Sequence, residues 1–110
     1  MAYRLLYLPG AEKDIRALPG RVAERVRNAV GRLAENPRLG RRLGGELVPF
    51  WSYRVGDYRL IYEIRDDELI VLVVMLGHRR AIYERARRKR PWRSLPDVLR
   101  FEPIAPSTRS

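Results

Sequence analysis

The chain has no cysteine, only two lysines, one histidine and no long apolar run, and each lack closes off a class of explanation. Without cysteine there are no disulfides, no thiol nucleophile and no thiolate metal site. The lone histidine, His78, stands among scattered carboxylates that form no ligand cluster, so neither a metal nor any other cofactor is expected. The longest apolar stretch, Leu69 to Leu76, is far too short to cross a bilayer. The opening Met1-Ala2-Tyr3-Arg4 leads straight into an apolar alternation without a signal-peptide pattern. A cytoplasmic protein with no membrane partner is expected.

What the chain has in excess is arginine. Its formal net charge is +10, and of 23 basic residues only Lys13 and Lys89 are lysines. The charge is unevenly placed: residues 1–50 carry a net +5, residues 51–76 a net −2, and residues 77–110 a net +7. Such a field attracts polyanions, which makes nucleic acid or an acidic protein the natural partner. A merely solvated, arginine-rich surface is the plain alternative.

At 110 residues the chain has room for a single modest core. Tyr3 to Leu8 alternates as a strand does, until Pro9-Gly10 breaks it. Ala11, Ile15 and Leu18 then recur at helical spacing, with Glu12 and Asp14 in the first turn. Pro19-Gly20 separates this helix from a second, whose stripe is Val22, Val26, Ala29, Val30 and Leu33 and whose end is Asn36-Pro37. Residues 38–49, with three glycines and a proline, read as a loop. Phe50 to Val55 and Tyr58 to Arg65 read as strands joined by a tight turn at Gly56-Asp57. A second turn at Asp66-Asp67 leads to Leu69–Leu76, aliphatic enough for a central strand covered on both faces. The order β-α-α-β-β-β implies an α+β fold, with a helical hairpin packed on a mainly antiparallel, twisted sheet.

After Gly77 the composition turns basic, and Ile82 to Arg90 fits a short helix with few apolar anchors. Residues 1–90 are therefore expected to form the domain. Residues 91–110, with Pro91, Pro96, Pro103 and Pro106, are expected to be a partly disordered basic extension.

Two stretches carry chemistry. Phe50–Tyr62 sets Trp51, Tyr53, Arg54 and Arg59 on a small rigid hairpin, and Gly77–Tyr83 supplies His78, Arg79, Arg80 and Tyr83. With Leu43-Gly44-Gly45 before the tryptophan and this order of elements, the chain from about Tyr3 to Tyr83 resembles the RelE/ParE superfamily of toxins. These belong to bacterial and archaeal type II toxin–antitoxin pairs.

The resemblance implies a RelE-like fold and one of two activities. RelE-like members cut mRNA on the ribosome without a metal and so inhibit translation; ParE-like members inhibit DNA gyrase. The RelE-like branch is favoured. A third reading is a degenerate member that only binds antitoxin and operator DNA. By the resemblance, Arg59 contacts the scissile phosphate, Arg79 stabilises charge on it, and Tyr83 stacks or transfers a proton. Arg54 stands near one of two strand lysines of the best-known RelE-type enzymes, and Ser52 near the other, so the chain departs from the pattern there. An acidic antitoxin is the implied partner, and a heterotetramer with it and operator-DNA contact through that complex are among the assemblies the resemblance implies.

Metal-free cleavage by the 2′-hydroxyl needs a base, a cation for the developing charge and an acid. Arginines suit the second task, being planar and permanently charged. They do not release protons at ordinary pH, which makes Arg54 a poor base. Tyrosine has an ordinary pKa of about 10 and histidine one of about 6.5. Trp51 and Tyr53 offer faces either to bases or to the core, and His78, Arg80, Arg85 and Arg88 offer further RNA contacts or a solvated surface.

Overall fold

The computed structural model describes residues 2–90. The elements run β1 (Arg4–Tyr7), α1 (Pro9–Arg16), α2 (Gly20–Glu35), β2 (Arg41–Arg42), β3 (Trp51–Val55), β4 (Tyr58–Arg65), β5 (Ile70–His78) and α3 (Ile82–Lys89). They make an α+β fold with one five-stranded sheet in the order β1-β5-β4-β3-β2. The β1–β5 pair is parallel and every other neighbouring pair is antiparallel. The expected extension, residues 91–110, lies outside the described residues.

Proline works as a starter here as well as a breaker. Pro9 occupies the first turn of α1, where its missing N–H leaves no bond unmade, so the helix begins two residues before Ala11. Asn36 closes α2, and its side chain accepts from the Arg38 N–H at 3.3 Å. Both helices lie on one face of the sheet. Ala11, Ile15, Val26, Ala29, Val30 and Leu33 meet Val55, Leu60, Tyr62, Val71, Val73 and Leu76 there. Each fully buried Val or Leu contributes about 1.5–3 kcal/mol relative to an exposed one.

The other face is covered too, which a helical hairpin alone would not achieve. Leu6, Leu8, Ile61, Leu72, Val74 and Met75 pack beneath Ile82 and Ala86 of α3, together with Leu47 and Phe50 from the segment before β3. Covering on both sides explains the unbroken aliphatic run of β5, buried from Ile70 to Gly77. A bulge shifts the β4–β5 register: Ile61 opposes Met75 while Tyr62 opposes Val73, leaving Val74 as the extra residue. It puts Val74 and Met75 on the same face.

The stretch 38–49 is more ordered than a plain loop. It holds two single-turn 3-10 helices, Pro37–Leu39 and Gly45–Leu47, and the two-residue β2 between them. β2 pairs Arg41 with Ser52 and Arg42 with Trp51, so it extends the sheet beside the β3–β4 hairpin. At the hairpin turn Gly56 has φ +60 and Asp57 does not share it, as a two-residue II′ turn requires. The turn after β4 takes four residues, with Leu69 in the left-handed region at φ 57.

Candidate functional site

An open cleft of about 710 Å³ lies at the β2 end of the sheet, where β3 and β4 meet the start of α3. Leu39, Gly40 and Arg41 form one wall, Ser52, Tyr53, Arg54 and Arg59 the floor, and Arg79, Arg80 and Tyr83 the far wall. Strand alternation sets the floor. Arg54 lies directly across from Arg59, which in turn pairs with Gly77 at the end of β5. Two arginines opposite each other repel and so disfavour the strand pair. An anion between them removes that cost.

The cleft is short of counter-charge. The Arg41, Arg54 and Arg80 side chains make no hydrogen bond or ion pair among the described residues. Arg59 donates through Nη1 to the carbonyls of Gly56 at 3.2 Å and Tyr58 at 3.0 Å, which moors it to the turn and, among the described residues, leaves Nη2 and Nε unused. Arg79 is tied to Asp57 twice, by its backbone N–H to the carbonyl at 2.8 Å and by Nε to the exposed carboxylate at 3.7 Å. Several planar guanidiniums converging on one cavity can hold phosphate oxygens in bidentate fashion. Among the described residues no group of three or more His, Cys, Asp or Glu could hold a metal.

Tyr83 enters from the first turn of α3, half-buried, with its hydroxyl 2.7 Å from Ser52 Oγ. The helix reaches this position because Gly77 has no side chain: a Cβ there would lie 2.8 Å from Ile82 Cδ1 and 3.1 Å from Arg85 Nη1. Gly40 has the same purpose on the opposite wall, where a Cβ would meet the Ser52 carbonyl and the Tyr62 hydroxyl, each at 2.5 Å.

Of the residues singled out in the sequence, Arg54, Arg59, Arg79, Arg80, Tyr83 and Tyr53 border the cleft. Trp51, His78, Arg85 and Arg88 do not. The alternation that turns Ser52 and Arg54 toward the cleft turns Trp51 toward the helix-covered core, where it packs against Tyr62 with ring centroids 6.5 Å apart; Tyr53 packs against that core as well as bordering the cleft. His78 sits opposite Tyr58, edge to face at 6.0 Å, and its Nδ1 accepts from the Arg80 backbone N–H at 3.2 Å. Arg85 is engaged elsewhere, reaching Asp14 of α1 at 3.1 Å. Arg88 is exposed on α3.

The wall formed by Leu39, Gly40 and Arg41 was not visible in the sequence, since glycine and arginine in a glycine-rich segment look like loop. The signal that reveals Gly40 is steric and exists only in three dimensions. One titratable group near this wall is structural and stays protonated. Burial pushes the Tyr62 hydroxyl up to about 12, with the nearby Gly40 backbone amide pulling the other way, and the hydroxyl donates to the Pro37 carbonyl at 2.6 Å. That bond holds the wall against β4.

Residues 5–83 match the family described as the ParE toxin of the type II toxin–antitoxin system parDE. The chain is 38% identical over 87 residues to Toxin RelG of Mycobacterium tuberculosis, covering 77% of this chain and all of that one. It is 35% identical over 83 residues to Toxin RelE of the same organism, covering 74% of this chain and 86% of that one. Its fold matches the toxin–antitoxin complex RelBE of M. tuberculosis at 34% identity and a TM-score of 0.67, covering 72% of this chain and 93% of that one. It also matches the free E. coli RelE toxin, in a double arginine-to-alanine mutant, at 26% identity and a TM-score of 0.70, with 86% and 100% covered. The chain belongs to the RelE/ParE superfamily and is a toxin of a type II toxin–antitoxin system.

Proposed function

We propose that this toxin is a metal-independent, ribosome-dependent mRNA endonuclease that stops translation. The observation that carries the reading is the cleft itself, where Arg54, Arg59, Arg79 and Arg80 surround a cavity bordered by Tyr83. In this reading the 2′-oxygen attacks the adjacent phosphorus and the 5′-oxygen leaves. Arg59 and Arg79 bear the negative charge that grows on the phosphate, at fixed positions set by the hairpin turn and by Asp57. The Tyr83 and Ser52 hydroxyls, bonded to each other at the cleft, can each both donate and accept a hydrogen bond. The ribosome supplies the alignment of the nucleotide, which converts an encounter into a positioned reaction.

Purified toxin added to ribosomes programmed with mRNA is expected to cut the message. Arg59→Ala is expected to lower the rate about 100- to 1,000-fold, the cost of removing one preorganised charge-stabilising donor. Intact mRNA with the wild-type protein overturns the reading. Two observations favour a second reading, that of a gyrase inhibitor: the matching family is described as ParE, and Ser52 stands near a position where RelE-type enzymes carry a lysine. Inhibition of gyrase supercoiling without mRNA cleavage selects it.

The partner is an acidic antitoxin. Solved relatives include RelBE toxin–antitoxin complexes of M. tuberculosis and E. coli, and the net charge of +10 suits an acidic segment laid across the cleft. Such complexes pair into heterotetramers and give access to operator DNA in this reading, and the toxin acts in the cytoplasm.

A further inference from the structure

We propose that Ser52 is a positioning residue that fixes the direction of the Tyr83 hydroxyl in the cleft; this rests on the nuclease reading above. Ser52 is only 6% exposed, and among the described residues it and Tyr62 are the buried residues that carry a hydroxyl. A buried hydroxyl is costly unless it is bonded. Its bond is to the Tyr83 hydroxyl at 2.7 Å, joining the middle of β3 to the first turn of α3.

The serine end of this bond is held within the sheet. Ser52 is paired on one side with Arg41 and on the other with Ile61, and its carbonyl is so closely covered by Gly40 that no Cβ fits there. The tyrosine end sits on an eight-residue helix held by two buried apolar side chains, Ile82 and Ala86. A phenol on such a helix has freedom about its ring bonds, and the serine removes it. Each hydroxyl has one proton and two acceptor sites, so bonding one to the other leaves a single hydroxyl proton to face the cleft. The position where a lysine was expected thus holds a short neutral group, and its contribution passes through Tyr83 rather than through charge.

Single-turnover cleavage on programmed ribosomes tests this, with thermal melts confirming that each variant is folded. Ser52→Ala is expected to lower the maximal rate about 10-fold, as for loss of one orienting hydrogen bond worth about 1.4 kcal/mol, with the half-saturating concentration unchanged. Ser52→Thr keeps the hydroxyl and is expected to restore the rate. In a Tyr83→Phe background, Ser52→Ala is expected to cost nothing further, because the serine then has no hydroxyl to direct. A wild-type rate in Ser52→Ala overturns the proposal, and so does a loss that persists in the Tyr83→Phe background or that Ser52→Thr does not repair. If the wild-type protein itself leaves mRNA intact, the nuclease reading falls and takes this role with it. A cutting wild type with an indifferent Ser52 removes only the role assigned here.

Discussion

Replacing Tyr62 with phenylalanine isolates the bond that holds one wall of the cleft. The ring is fully buried and packs against Trp51, and phenylalanine keeps that packing. What is lost is the 2.6 Å bond to the Pro37 carbonyl, which lies on a buried residue. Leaving such an acceptor unpaired costs about 1–3 kcal/mol. For a domain of this size each kcal/mol moves the melting midpoint by about 4–8 °C, so a loss of about 2 kcal/mol lowers it by about 8–16 °C.

The pH dependence supplies an independent check. Burial holds the Tyr62 proton to about pH 12, whereas the unfolded chain releases it near the ordinary tyrosine value of about 10. The contribution is therefore whole below pH 10, and it drains away as pH rises through 12, amounting to at most about 2.7 kcal/mol for two pH units. Melts of both proteins between pH 8 and 11.5 are expected to show a gap that narrows above pH 10, because phenylalanine has no proton to lose. Tyr3 and Tyr7, also raised, are present in both proteins and cancel in the difference. Equal midpoints at pH 8, or a gap that does not change with pH, refute the assignment.

Two further perturbations bear on the same region and on the base of the sheet. Gly40→Ala places a methyl against the Ser52 backbone and the Tyr62 hydroxyl, and should cost about 1–3 kcal/mol in a denaturant titration, with cleavage falling alongside. At the far end, the Arg38 guanidinium, and next the Tyr3 hydroxyl, hold the Asp66 carboxyl below the usual carboxylate range, at 2.7 Å and 2.6 Å respectively. That contribution is present above the ordinary carboxylate pKa of about 3.9 and is lost as pH falls through the lowered one. Acid titration at low salt should show Asp66→Asn losing this step, and added salt should shrink the difference because the trio is exposed.

The sequence made the helices and the last three strands legible because each has a strong local signal: period in α2, alternation in β4, an aliphatic run in β5. Gly56-Asp57 located the hairpin, and with it Arg54 and Arg59. What stayed hidden depends on contacts distant along the chain. Arg41 and Arg42 have no strand pattern of their own and become β2 only because Ser52 and Trp51 offer an edge. The covering of β5 on both faces was legible, but what covers the second face was not, because α3 presents just Ile82 and Ala86, too few to announce a buried helix. Arg85 looked like one more phosphate ligand in a basic run, and only the folded position of α3 brings it within reach of Asp14 on α1. Ser52 looked like a missing lysine; the position of Tyr83 was needed to show it as half of a bonded pair.

The parallel pairing of β1 with β5 also governs when the molecule comes into being. Arg4 meets Ile70, so the first strand to be synthesised waits for nearly the last. At about 5–20 residues per second, that wait lasts roughly 3–13 s, during which the helical hairpin has no complete sheet to cover. Arg79, Arg80 and Tyr83 come later still. A chain stopped between β5 and Arg79 has the hairpin but only Arg41, Arg54 and Arg59 of the cationic cleft. The ribosome that makes this protein therefore carries an incomplete cleft until α3 has emerged.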